Sequence, residues 1–122
     1  MSWHFLVVED TDDDVQMVSK VLAHYNIQVT IARNGHECLN TLGQFEPTAI
    51  IMDLAMPGLN GWETLVEIRA NPDTAHIPVI AITAYGSDRV AQDALAAGFN
   101  GYIPKPIKPT QFVGQITAML QG

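Results

Sequence analysis

A single cysteine, few cations and no long apolar stretch mark what this chain does without. With Cys38 alone, no internal disulfide can form, which fits a reducing compartment. Six Lys and Arg face thirteen Asp and Glu, for a net charge of −7. The cations are scattered singly, so no basic stripe exists to neutralise phosphates, and direct nucleic-acid binding is disfavoured. No window reaches the apolar length of a membrane span, and residues 1–8 lack the basic region and long apolar stretch of a secretory signal. Linkers, repeats and low-complexity segments are missing as well. One domain over residues 1–122, cytoplasmic and off the membrane, is the expectation, and 48% hydrophobic residues suffice to fill its core.

What the chain does have is four apolar runs that each lead to polar residues. Phe5–Val8 meets Glu9 and Asp10, Ala49–Met52 meets Asp53, Val79–Ile82 meets Thr83, and Gly101–Pro104 leads to Lys105. Short, continuously apolar runs read as strands buried on both faces. Between them lie segments with helical spacing. Residues 13–25 place Val15, Val18, Val21, Leu22 and Tyr25 on one face, with Asp12, Asp13 and Asp14 at the positive end of the helix dipole. Gln28–Ala32 is more polar and reads as an edge strand. Asn34-Gly35 turns into a short helix carrying Cys38, Leu39 and Leu42, with Cys38 as a small core residue.

Met56–Gly61 is rich in turn formers and precedes a helix from about Trp62 to Ala70, which should use Trp62, Leu65, Val66 and Arg69 on its inner side. Ser87 or Asp88 caps a helix to Ala97 that Gly98 ends, and Thr110–Leu120 turns Phe112, Val113, Ile116 and Leu120 inward. Strand and helix alternate throughout, which predicts a doubly wound α/β sheet.

Ligands of such sheets bind outside the carboxyl ends of the strands, where the strand order reverses. Glu9, Asp10 and Asp53 fall there. Clustered carboxylates need a cation, and an all-oxygen site with room for water suits Mg²⁺, with Mn²⁺ as the alternative. Asp53 can serve as ligand and as nucleophile toward a phosphoryl group. Lys105 can offset the added charge, and Thr83 can donate its hydroxyl to a phosphoryl oxygen. Each residue alone has a plainer reading. Asp10 could cap the next helix, Thr83 could simply end a strand, and Lys105 could be a solvated surface charge. An unpaired carboxylate at Asp53, beside the core, is harder to explain away.

The motifs Val7-Val8-Glu9-Asp10, Ile51-Met52-Asp53-Leu54-Ala55-Met56-Pro57-Gly58-Leu59-Asn60-Gly61, Ile82-Thr83-Ala84 and Gly101-Tyr102-Ile103-Pro104-Lys105-Pro106 together resemble the receiver domains of two-component response regulators. The resemblance covers essentially the whole chain. It implies a five-stranded parallel sheet in the flavodoxin-like order 2-1-3-4-5. It also implies that a sensor histidine kinase or histidine phosphotransfer protein phosphorylates Asp53. Asp10 matches a direct Mg²⁺ ligand, Glu9 a ligand acting through water, and the Ala55 main-chain carbonyl the remaining protein ligand. Thr83 and Ala84 match the phosphate-contacting switch segment, Lys105 the phosphate-pairing lysine, and Tyr102 the aromatic that moves as Thr83 shifts. Pro106 matches a proline preceded by a cis peptide bond.

Some positions depart from the family pattern. Glu9 stands where many members carry aspartate. Ala55 and Tyr85 occupy positions lining the approach of hydrolytic water in relatives. Lys108-Pro109 puts a cation where members often have a helix cap, so the last helix is expected to start at Thr110. That helix lacks Lys and Arg, which disfavours the salt-bridged dimer seen in members with winged-helix outputs.

The leading expectation is a stand-alone switch without an output domain, acting on a downstream protein effector through the surface made by the last two helices and the last strand. A phosphorelay intermediate is the alternative. An aspartate-nucleophile phosphatase would carry a second aspartate at position 55, so no enzymatic role beyond self-phosphorylation and autodephosphorylation is expected. A flavodoxin-like carrier would need a hydroxyl-rich phosphate loop where Thr11-Asp12-Asp13-Asp14 stands. His4, His24, His36 and His76 show no metal-ligand spacing. Trp62 reads as packing.

Overall fold

The computed structural model describes residues 2–121 as ten alternating elements. They are β1 (His4–Val8), α1 (Asp12–His24), β2 (Gln28–Ala32), α2 (Gly35–Leu42), β3 (Ala49–Asp53), α3 (Gly61–Ala70), β4 (Val79–Thr83), α4 (Asp88–Ala97), β5 (Gly101–Pro104) and α5 (Pro109–Gln121). The strands form one parallel sheet in the order β2-β1-β3-β4-β5, with β2 at an edge. The chain therefore winds one way from β1 to β2 and the other way from β3 onward. At that reversal Val8 pairs with Met52, so the residues after each, Glu9 and Asp53, leave the sheet side by side.

Alternation along the strands builds two cores, because successive side chains point to opposite faces. Leu6, Val8, Ile50, Met52, Val79 and Ala81 pack with Cys38, Leu65, Ile68, Ala94 and Phe99, from the α2, α3 and α4 side. Phe5, Val7, Ile51, Ile80 and Ile82 pack with Val18, Leu22, Phe112 and Ile116 of α1 and α5. Both faces are covered, which is why β1, β3 and β4 read as unbroken apolar runs rather than alternating ones. Each large side chain so buried contributes roughly 1.5–3 kcal/mol of transfer free energy. No helix among the described residues is long and apolar enough to cross a membrane.

Helix ends follow local chemistry. Asn60 caps α3 by accepting from Glu63 N while Glu63 returns a bond to Asn60 N, a closed capping box. Ser87 caps α4 through Val90 N, and Gly98 ends it with a left-handed φ of 113°. α5 begins at Pro109 rather than Thr110. Proline suits the first helical position, and the Lys108 carbonyl accepts from Gln111 N and Phe112 N, so the cation's side chain stays exposed in solvent.

Two packing expectations fail. Val66 is 64% exposed, because α3 turns Gly61, Thr64, Leu65 and Ile68 inward instead. The phase of that short helix is set by its close seat on the sheet: a Cβ on Gly61 would lie 2.5 Å from the Asp53 carbonyl oxygen. Tyr25 follows the last turn of α1 and is half-exposed rather than inward. Arg69 is half-buried but not by apolar packing. Its guanidinium donates to the carbonyls of Ala75, Ile77 and Gly98 and to Asn100 Oδ1, tying α3 to the end of α4 and the start of β4.

Candidate functional site

The carboxyl ends of β1, β3, β4 and β5 converge on a cleft of about 220 Å³ lined by Asp10, Thr11, Asp14, Asp53, Ala55, Ala84, Tyr85 and Lys105. Asp53 is the last residue of β3 and is 4% exposed. One carboxylate oxygen, Oδ1, accepts from Ala55 N at 3.0 Å, and Oδ2 accepts from Lys105 Nζ at 3.3 Å. Glu9, fully buried at the end of β1, accepts from Lys105 Nζ at 2.6 Å through Oε1. Its other oxygen, Oε2, is buried without a hydrogen-bond partner among the described residues.

Glu9, Asp10 and Asp53 each bring a carboxylate oxygen within 4.8 Å of the others. Hard oxygen donors, one of them orphaned and buried, fit a small divalent cation. Asp10 is exposed at the mouth and precedes Thr11, the residue that takes the cap position of α1, so the capping alternative for Asp10 does not hold. Ala55 is exposed in the loop after β3 and lines the cleft.

Electrostatics tie the cluster together. Burial pushes the Glu9 carboxyl up to about 9, and the neighbouring Asp53 carboxylate adds to the rise while Lys105 opposes it. Burial alone would lower the Lys105 ammonium, but hydrogen bonds to Asp14 and Glu9 reverse this and raise it. The same lysine holds Asp14 below its ordinary value.

Asp14 is the site residue that reading the sequence missed. It reads as helix-dipole chemistry, yet its Oδ2 accepts from Lys105 Nζ at 2.8 Å, closer than Asp53 does. A usable signal was its place in the first turn of α1, the helix end that faces the carboxyl ends of the strands. Thr83 is 3% exposed at the end of β4, and its Oγ1 accepts from Tyr85 N at 3.1 Å. Ala84 and Tyr85 line the cleft, and Tyr85 is 80% exposed. Tyr102 is half-buried on β5, with its hydroxyl against Gly86. The Lys105-Pro106 peptide is cis. Trp62 packs edge-on against Phe99 at 5.6 Å between ring centres.

Residues 5–117 match the response regulator receiver domain family. The chain belongs to that family. It is 32% identical over 106 residues to a two-component response regulator of Oryza sativa, covering 86% of this chain and 88% of the relative. It is also 31% identical over 117 residues to a probable cyclic di-GMP phosphodiesterase of Vibrio cholerae, covering 96% of this chain but only 26% of that longer protein. A putative response regulator from Chloroflexus aurantiacus superposes with a TM-score of 0.93 at 29% identity, each chain covered in full. The receiver domain of a sensor histidine kinase from Pseudomonas aeruginosa, solved with a magnesium ion coordinated in its active-site cleft, gives 0.89 at 26% identity, again with both chains fully covered.

A receiver domain is a phosphorylation switch in general, and the fold and strand order here are those of the family. The acidic cluster of this receiver fits the Mg²⁺ that such domains bind.

Proposed function

We propose that this receiver accepts a phosphoryl group on Asp53 from a phosphohistidine of a sensor kinase or phosphotransfer protein, and passes the change to a downstream protein. The observation that carries this reading is the buried Asp53 carboxylate, held between Ala55 N and Lys105 Nζ and beside Glu9 and Asp10. An Asp53 oxygen attacks phosphorus, the new O–P bond replaces the donor's P–N bond, and the leaving imidazole takes up a proton.

Glu9, Asp10, Asp53 and the Ala55 carbonyl would hold Mg²⁺, which supplies positive charge to the phosphoryl oxygens when bound. Lys105 stays near Asp53 through its bonds to Glu9 and Asp14 and pairs with another phosphoryl oxygen. Thr83 Oγ1 already accepts from Tyr85 N, which leaves its own proton free for a phosphoryl oxygen. If Thr83 moves toward that oxygen, the Tyr85 bond draws the loop before α4 with it. The surface of α4, β5 and α5, including Tyr102, then changes for an effector.

Ala55 offers no proton donor at the position an aspartate-nucleophile phosphatase would use, so turnover of an external substrate is not part of this reading. A relay role is the second reading, supported by the likeness to receiver domains of sensor histidine kinases. In a relay, a phosphotransfer protein added to the phosphorylated chain would strip it within the mixing time, whereas a terminal switch would keep its label.

The direct test uses a small acyl phosphate with Mg²⁺. Intact mass should rise by one phosphoryl group, and Asp53→Asn should abolish the gain. Undiminished labelling of that variant would defeat the assignment.

A further inference from the structure

Gly86 sits between Tyr85, which lines the cleft, and Ser87, which caps α4. A Cβ built on it would overlap the Tyr102 hydroxyl, lie 2.9 Å from Tyr102 Cζ and come 3.5 Å from Thr83 Cγ2. The tip of the Tyr102 ring therefore occupies the place of the missing side chain, with the Thr83 methyl alongside. Ala81 pairs with Tyr102 across β4 and β5, so the ring hangs from the neighbouring strand and reaches the loop that follows Thr83. Gly86 is exposed, and its backbone does not occupy the left-handed region, so the position does not require glycine for conformational reasons.

We propose that Gly86 is the positioning residue of the readout: its lack of a side chain admits the Tyr102 hydroxyl onto the β4–α4 loop beside Thr83, and any side chain there drives the ring outward. This rests on the reading of Tyr102 as the residue that senses Thr83. If the ring exchanges between two positions, a block on one shifts the population and lowers affinity for whatever favours it. A side chain at residue 86 thus weakens phosphoryl uptake without touching Asp53, Lys105 or the acidic cluster.

The test labels the protein with fluorotyrosine, assigns Tyr102 by Tyr102→Phe, and titrates beryllofluoride in the presence of Mg²⁺. Gly86→Ala should shift the Tyr102 fluorine signal toward that of an exposed ring. It should also weaken beryllofluoride binding by about five-fold or more, the low end of ordinary coupling between sites. Gly86→Ser repeats the measurement with a second small side chain. In a Tyr102→Ala background, Gly86→Ala should have no further effect on beryllofluoride affinity. An unmoved Tyr102 signal in both variants, or an equal loss of affinity with and without the ring, would overturn the inference. Beryllofluoride binding that survives Asp53→Asn would instead defeat the phosphorylation reading, so the two failures are distinguishable.

Discussion

Lys105 holds three carboxylates at once, at 2.6 Å from Glu9, 2.8 Å from Asp14 and 3.3 Å from Asp53. The longest contact is to the proposed acceptor, so the lysine is held near Asp53 mainly by its neighbours. Lys105→Ala should then cut beryllofluoride affinity at least about ten-fold, by loss of a charge-assisted contact to the phosphoryl mimic. Mg²⁺ affinity, measured by calorimetry, should change far less. A collapse of Mg²⁺ binding in that variant would show the lysine to be a structural part of the metal site.

Glu9 carries the clearest pH signature. Its folded value of about 9 lies above the ordinary 4.5, so the folded protein retains a proton that the unfolded chain has released. Between those values, stability without metal falls as pH rises. Asp14, held low by Lys105, acts in the other direction and only in acid, where its stabilisation is lost as pH falls. Chelated protein should melt at progressively lower temperature from pH 5 to 9, and Glu9→Gln should flatten that slope. A slope unchanged by Glu9→Gln would place its origin elsewhere.

At the scale of elements, legibility in the sequence tracked how many constraints each segment satisfied. β1, β3 and β4 are buried on both faces, so their carboxyl ends came out as read, although β1 begins one residue earlier, at His4. α3 was misphased because Val66 is apolar yet faces solvent, while Thr64 and Gly61 face inward. Thr64 can be buried because its Oγ1 donates to the Asn60 carbonyl, a satisfaction that hydropathy does not record. Asp14 escaped for a related reason: three successive aspartates suit a helix start, and only the fold brings one of them to a lysine far along the chain. Arg69 illustrates a polar clamp of the same kind. Arg69→Met would leave the carbonyls of Ala75, Ile77 and Gly98 without this donor, at a cost of about 1–3 kcal/mol for unsatisfied groups. Urea unfolding should register that loss, and a change within error would mean that solvent replaces the clamp.

For the molecule as a whole, the sheet gathers its polar ends at one rim and leaves both faces to the helices. Glu9, Asp10 and Asp53 gather oxygen donors at that rim only in the folded state, so Mg²⁺ should raise the melting temperature by binding the folded state alone. Asp53→Asn should reduce that gain, and no shift with millimolar Mg²⁺ would count against the metal site. Family membership and strand order were legible because the motifs recur at the ends of strands that the pattern already located. The contact between Tyr102 and Gly86 was not, since the ring's seat on the loop is a three-dimensional contact between β5 and the segment after β4.

The most direct measurement asks where the phosphoryl group resides. After incubation with an acyl phosphate and Mg²⁺, borohydride reduction converts an aspartyl phosphate to homoserine, which tandem mass spectrometry locates. The account predicts homoserine at residue 53 and nowhere else. Homoserine at Asp10 or Asp14, or a phosphorylated protein that yields none, would contradict it.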